Sequence, residues 1–209
     1  YAAMPYADVP AFMAELRRRS VGDATRLALE FLILTACRTN EVLLAAWNEI
    51  DIAEAVWTIP ASRMKANETH IVPLAPRALA LLTEAQALGG DQALVFPSQR
   101  PGKPLSNMVF LMTLRRMELS ITAHGFRSSF RDWAAEETEF PNFVVEKALA
   151  HTIDNKVEAA YRRGDLLKKR RDLMTAWANY CAGTAAPSRD KQRAINPKLQ
   201  LTGVQSHDD

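Results

Sequence analysis

Three short stretches, Ile50-Asp51-Ile52, Val56-Trp57-Thr58-Ile59 and His70-Ile71-Val72-Pro73-Leu74, alternate with period two in a chain whose other apolar residues follow helical spacing. Side chains on a strand point to opposite faces in turn, so this alternation predicts strands. Pro60 ends the second stretch, because proline gives no N–H to a sheet ladder. The polar segment 62–69 joins it to the third, which places Lys65 near a turn of a small antiparallel sheet.

Helices are expected on both sides of that sheet. Residues 8–19 form a short helix, with Asp8 able to cap and Pro10 tolerated in the first turn. Gly22-Asp23 opens a stronger helix, with Leu27, Phe31 and Leu34 at helical spacing. Thr39 or Asn40 caps the next, which carries Glu41. Pro76 begins a helix reaching Leu88, stopped by Gly89-Gly90. Ser106 caps a helix through about Glu118, and Thr122 caps one carrying His124, Arg127 and Trp133. Pro141 starts another to Leu149, Asn155 begins a short one to Tyr161, and Asp165 caps a long one with Leu173, Met174, Trp177 and Cys181 on one side. The fold class is α+β, mainly α, with a three-stranded antiparallel sheet. Residues 1–20 read as a lead-in, 21–183 as one domain, and 184–209 as a polar, aperiodic tail.

Of the 209 residues, 48% are hydrophobic, enough for a substantial core. The net charge of +2 decides nothing about nucleic acid, so distribution matters more. Arg162, Arg163, Lys168, Lys169, Arg170 and Arg171 face a single Asp165 in that stretch and predict a local positive field. Cys37 and Cys181 sit in apolar helical contexts and read as buried thiols. His70, His124, His151 and His207 lack ligand spacing with carboxylates, so no metal is expected. No apolar run approaches a membrane span, there is no signal peptide, and the default compartment is the cytoplasm. A chain opening on Tyr1 rather than Met reads as part of something longer.

Several residues carry possible chemistry. Arg38 stands where an apolar helix breaks, near a helix N-terminus that attracts anions, and Glu41 three residues on can hold its guanidinium. Taken alone this is an ordinary ion pair. His124 and Arg127 are three apart and share a helix face; two cationic groups side by side suit an anion between them, although a solvated face is the commoner meaning. His151 ends a helix, where the dipole favours its charged form. Tyr161 follows ten residues later beside Arg162 and Arg163, whose charges favour the phenolate. Lys65 on its hairpin can reach into a cleft and give up a proton.

The joint pattern resembles the catalytic domain of the tyrosine recombinases, the phage integrase family. Its signature is an arginine at a helix break (Arg38), a lysine on a β-hairpin (Lys65), His-x-x-Arg (His124, Arg127), Leu-x-His (Leu149, His151) and a tyrosine about ten residues on (Tyr161). The segments Arg63-Met64-Lys65, His124-Gly125-Phe126-Arg127 and Ala159-Ala160-Tyr161-Arg162-Arg163 resemble the branch carried by P4-like prophages and genomic islands. The family often has glycine where Ala36 and Asn40 stand.

This resemblance implies a helical tyrosine-recombinase core in which Tyr161 attacks a DNA phosphate to give a 3′-phosphotyrosyl link. It implies Arg38 and Arg127 on the non-bridging oxygens, Lys65 protonating the leaving 5′-oxygen, His124 and His151 at the phosphate, and Glu41 supporting Arg38. No cofactor or metal is implied. The partners implied are the double-stranded DNA of an attachment-site core, a homotetramer on DNA for the full-length protein with the isolated domain monomeric, and accessory DNA-bending or excisionase proteins. DNA-binding domains are expected before Tyr1. Arg162, Arg163, Lys103 and Arg131 are further candidates for DNA contact. The alternatives are a type IB topoisomerase and a DNA-binding module without catalysis.

Overall fold

The computed structural model describes residues 2–89, 92–100, 102–151 and 166–184. The expectations for Asn155, Tyr161, Arg162, Arg163, Asp165 and the 185–209 tail lie outside these residues.

The centre is α2 (Asp23–Thr35), in which every residue from Leu27 to Thr35 is buried. A helix apolar all round needs partners on all sides. Packed against it are α1 (Val9–Arg18), α3 (Thr39–Leu43), α4 (Pro76–Gly89), α5 (Val109–Arg116) and α8 (Leu167–Cys181). Among the described residues the remaining α-helices are α6 (Gly125–Glu137) and α7 (Asn142–Ala148). Helix α1 buries Val9, Phe12, Met13 and Leu16, one stripe at helical spacing. Met4 and these four residues belong to the same core as α2.

The sheet matches the alternation. Strands β1 (Ile50–Asp51), β2 (Val56–Ile59) and β3 (His70–Pro73) lie antiparallel in the order β1-β2-β3, with Trp57 opposite Val72 and Ile59 opposite His70. Trp57 and Ile59 point into the core while Thr58 is exposed. Phe31 of α2 meets both Trp57 and Phe96, which joins sheet and helices through aromatic contacts. On the opposite side Phe130, Trp133, Trp177 and Tyr180 cluster, and Trp177 Nε1 donates to the Ile33 carbonyl at 2.8 Å.

Several caps differ from expectation. Asp8 occupies the N-cap of α1 without a side-chain hydrogen bond, because a 3-10 turn over Tyr6–Asp8 already leads into the helix. Helix α3 is capped by neither Thr39 nor Asn40. Arg38 is its N-cap, and Glu41 accepts the Arg38 backbone N–H at 2.7 Å. Ser106 accepts from Met108 N, and α5 begins only at Val109. The N-cap of α6 is His124 rather than Thr122, although Thr122 Oγ1, two residues earlier, accepts from Gly125 N at 3.1 Å.

Gly125 has a specific reason to be glycine. A Cβ there would stand 2.3 Å from the Ala2 carbonyl oxygen, where the N-terminal segment lies against α6. Thr122 N and Ser129 Oγ donate to the Ala2 and Met4 carbonyls along the same line.

The basic run is not simply a positive surface. Arg170 is wholly buried and donates to the Ile71 carbonyl of β3. Arg171 donates to the carbonyls of Glu54 at 2.6 Å and Ala55 at 3.2 Å. Both guanidinium groups instead staple α8 to backbone carbonyls of β3 and of the β1–β2 turn. Lys168 and Lys169 are exposed.

Candidate active site

Helix α2 ends at Ala36, whose φ of 50° turns the chain left-handed. That turn sends Cys37 into the core and brings Arg38 out to start α3. Glu41 then grips Arg38 twice, through its backbone N–H and through Nη1 at 2.8 Å. The expected Arg38–Glu41 pair is therefore present, and it doubles as the cap of α3.

Arg38, Glu41, Arg63, Lys65 and His124 line one cleft of about 420 Å³. Lys65 is exposed on its rim, beyond the 3-10 turn Ala61–Arg63. Glu49, unmarked in the sequence, supports that turn. Glu49 accepts from Arg63 Nη2, from Trp57 Nε1 at 3.0 Å and from the Ala46 backbone N–H at 3.3 Å. Arg63 Nη1 also donates to the Glu41 carbonyl at 3.3 Å, which ties the hairpin to the helix that holds Arg38. The only signal in the sequence was Arg63 standing two residues before Lys65. A separate hollow of about 280 Å³, between α2, the end of α4 and the segment around Phe96, holds none of the predicted site residues.

Arg127 is not on a solvated helix face. It is 4% exposed, and α6 directs it inward. Its Nη1 donates to the Ala36 carbonyl and its Nη2 to the Leu149 carbonyl at 2.7 Å, with His151 Nε2 3.1 Å away. These carbonyls end α2 and follow α7, where the helix dipole is negative and unpaired carbonyls need donors.

His151 owes its place to the end of α7. His151 N–H bonds to the Glu146 carbonyl and Ala150 N–H to the Lys147 carbonyl, around Ala150 at φ 50°. This is a Schellman closure, and it puts the His151 ring over the preceding turn. Its Nδ1 lies 2.6 Å from Glu146 Oε2. An arginine N–H can only donate, so His151 Nε2 must accept from Arg127 and the ring proton must sit on Nδ1, toward Glu146. The ring is held between a guanidinium and a carboxylate. Glu146 Oε1 in turn forms an ion pair with Arg131 Nε at 2.8 Å, so Arg131 is partly committed within the fold. Lys103 is exposed.

The two groups meet across the helix ends. Arg38 Nη2 lies 3.5 Å from the Ala150 carbonyl, the outer limit of a hydrogen bond. Burial, and then the Arg38 charge, lowers the affinity of Arg127 for its proton. Burial, Arg127 and Arg38 together hold His124 below the ordinary histidine range. A buried arginine, a second arginine and a histidine thus share one positive field, with Lys65 at its edge. An anion with several oxygens would relieve that repulsion. Arg38, Lys65, His124, Arg127 and His151 are brought together; Tyr161 lies outside the described residues.

The sequence profile of the phage integrase family matches residues 3–166. Prophage integrase IntA of Escherichia coli K12 is 38% identical over 174 residues, covering 82% of this chain and 42% of that protein. The integrase of Enterobacteria phage P4 is 33% identical over 198 residues, covering 86% of this chain and 45% of its own length. The chain therefore spans less than half the length of these relatives. A solved lambda integrase dimer bound to a COC′ core site has a similar fold, with a TM-score of 0.57 and 21% identity over 74% of this chain and 59% of that one. With the profile match spanning most of its length and prophage integrases, P4 integrase among them, as its relatives, the chain belongs to the phage integrase family, in its P4-like branch.

Proposed function

We propose that this chain is the strand-cleaving and rejoining part of a site-specific DNA recombinase that integrates or excises a prophage or genomic island. The observation that carries the reading is the pair Arg38 and Arg127. Each reaches a carbonyl at a helix end, and their placement beside His124, with Lys65 on the rim of the cleft that Arg38 lines, supports a site for one phosphate. Electrostatic groups fixed before charge develops are the usual main source of catalysis at such a centre.

In this reading the Tyr161 oxygen bonds to a DNA phosphorus while the bond to the 5′-oxygen breaks, leaving a 3′-phosphotyrosyl ester. Lys65 gives its proton to the departing 5′-oxygen. His124, kept neutral by burial and by the two arginines, is suited to take the phenol proton. Arg38 and Arg127 hold the two non-bridging oxygens, His151 steadies Arg127, and Glu41 steadies Arg38. Attack by the 5′-hydroxyl of a second strand reverses these steps and joins exchanged DNA. The ester conserves the energy of the broken bond, so the reaction asks for neither ATP nor metal.

Residues 21–183 would form the catalytic domain, with residues 184–209 as its tail. The partner is duplex DNA at an attachment-site core in the bacterial cytoplasm, held by four protomers in the full-length protein. Arg162, Arg163 and Lys103 are the candidates for backbone contact, with Arg131 a weaker one because of its ion pair with Glu146. Binding by this chain alone should fall steeply with salt.

A nicked suicide substrate carrying the core site, incubated without metal or ATP, tests the proposal. A covalent adduct on a denaturing gel that disappears in Tyr161→Phe is expected. The absence of adduct from both this chain and the longer protein that carries it would overturn the nucleophile assignment.

A further inference from the structure

We infer that Glu146 is a positioning residue for Arg127, acting through the tautomer of His151; the inference rests on the proposed role of Arg127 at the phosphate. Four side chains from two helices and the turn after α7 form one line: Arg131, Glu146, His151, Arg127. Glu146 sits at its centre, with one carboxylate oxygen 2.8 Å from Arg131 Nε and the other 2.6 Å from His151 Nδ1.

A neutral imidazole carries its proton on either nitrogen, and the intrinsic preference between them is small. Only the Nδ1–H form presents a lone pair to Arg127 Nη2 at 3.1 Å. The other form would set N–H against N–H, and the guanidinium would have to turn away. That movement would also strain the bonds to the Ala36 and Leu149 carbonyls. Glu146 decides the matter, because a carboxylate can only accept. Arg131, 2.8 Å from its other oxygen, holds that carboxylate facing the ring. The charged and titratable groups around His151 are thus Glu146 from α7, Arg127 from α6, Arg38 across the Ala150 carbonyl, and the neighbouring His124.

The bland alternative is that Glu146 merely fastens the end of α7. The two differ in what they move. A fastener affects stability and everything downstream of it together. A positioning residue affects the tautomer and the rate while leaving DNA affinity in place.

The test compares Glu146→Ala and Glu146→Gln with the unaltered chain. Nitrogen-15 NMR reads the His151 tautomer, thermal unfolding reads the fold, and adduct formation on the suicide substrate is measured against DNA affinity. The unaltered chain should show the Nδ1–H form alone. Glu146→Ala should mix the tautomers and slow adduct formation at saturating DNA by roughly ten- to a hundredfold, the scale typical when a carboxylate that orients a working histidine is lost. Its DNA affinity should stay within about twofold, because Arg127 acts mainly on the charge that builds in the transition state. Glu146→Gln, whose amide oxygen still accepts from Nδ1–H, should recover most of the rate. A Glu146→Ala chain that keeps the single Nδ1–H form overturns the inference. So does one that loses rate, affinity and melting temperature in step. If neither the unaltered chain nor a longer protein carrying it forms adduct, the recombinase reading fails, while the NMR arm still decides what Glu146 does.

Discussion

Replacing Glu41 by glutamine keeps the shape of the side chain and removes its charge. The carboxylate accepts two hydrogen bonds from Arg38, at 2.7 Å from the backbone and 2.8 Å from Nη1. An amide has one accepting oxygen, so one bond is lost and an NH₂ group faces the orphaned donor. A hydrogen bond to a charged group contributes about 1.5–3 kcal/mol. Removing one partner of a fully buried ion pair costs about 3–5 kcal/mol. The Arg38 side chain is 26% exposed, so water answers part of its charge and the lower part of these ranges applies. A loss of about 2–3 kcal/mol is expected. With a urea slope of about 2–3 kcal/mol per molar, the unfolding midpoint should drop by about 1 M. Inorganic phosphate should raise the midpoint more in Glu41→Gln than in the parent chain, since Arg38 then lacks its counter-charge. A double-mutant cycle with Arg38→Met isolates the pair. A coupling below about 0.5 kcal/mol would refute the claim that Glu41 holds Arg38.

Three further outcomes are expected. Ala150→Gly should raise stability by up to about 1 kcal/mol in urea titrations, because Ala150 sits at φ 50°, a conformation that costs an L-residue about 1–2 kcal/mol, less the entropy glycine adds to the unfolded chain. Burial alone would raise the pKa of Glu30, but hydrogen bonds from Arg77 and Arg17 outweigh it and leave it lowered. Its contribution is therefore complete above the unfolded carboxylate value near ~4.3 and is lost as pH falls through the lower folded value, so acid unfolding of Glu30→Gln should show a shallower pH dependence there. Cys37, pushed up to about 12 by burial and by Glu41, should react with thiol reagents only as the chain unfolds, as should the buried Cys181.

What could be read from the sequence was what depends on near neighbours. The strands showed because Trp57 and Ile59 alternate with Thr58, and pairing Ile59 with His70 then needed only a turn between them. Arg38 and Glu41 are three residues apart, so their bond was local. The burial of Arg127 was hidden because its carbonyl partners come from Ala36 and Leu149, at the ends of two other helices. Arg170 looked like part of a charged surface because Ile71, which it satisfies, lies 99 residues away. Glu146 and Glu49 were missed because the arginines that pair with them, Arg131 and Arg63, reach them only when α6, α7 and the hairpin come together.

The crossed grip of the two arginines has a consequence for the history of each molecule. Arg127 reaches a carbonyl 91 residues back in the chain, and Arg38 one 112 residues ahead. Loops of that length must close before either contact returns any free energy. A chain still emerging from the ribosome therefore carries scattered cations with no common target. The paired site comes into being only when folding is complete, and in a denaturant titration it should vanish together with the core rather than ahead of it.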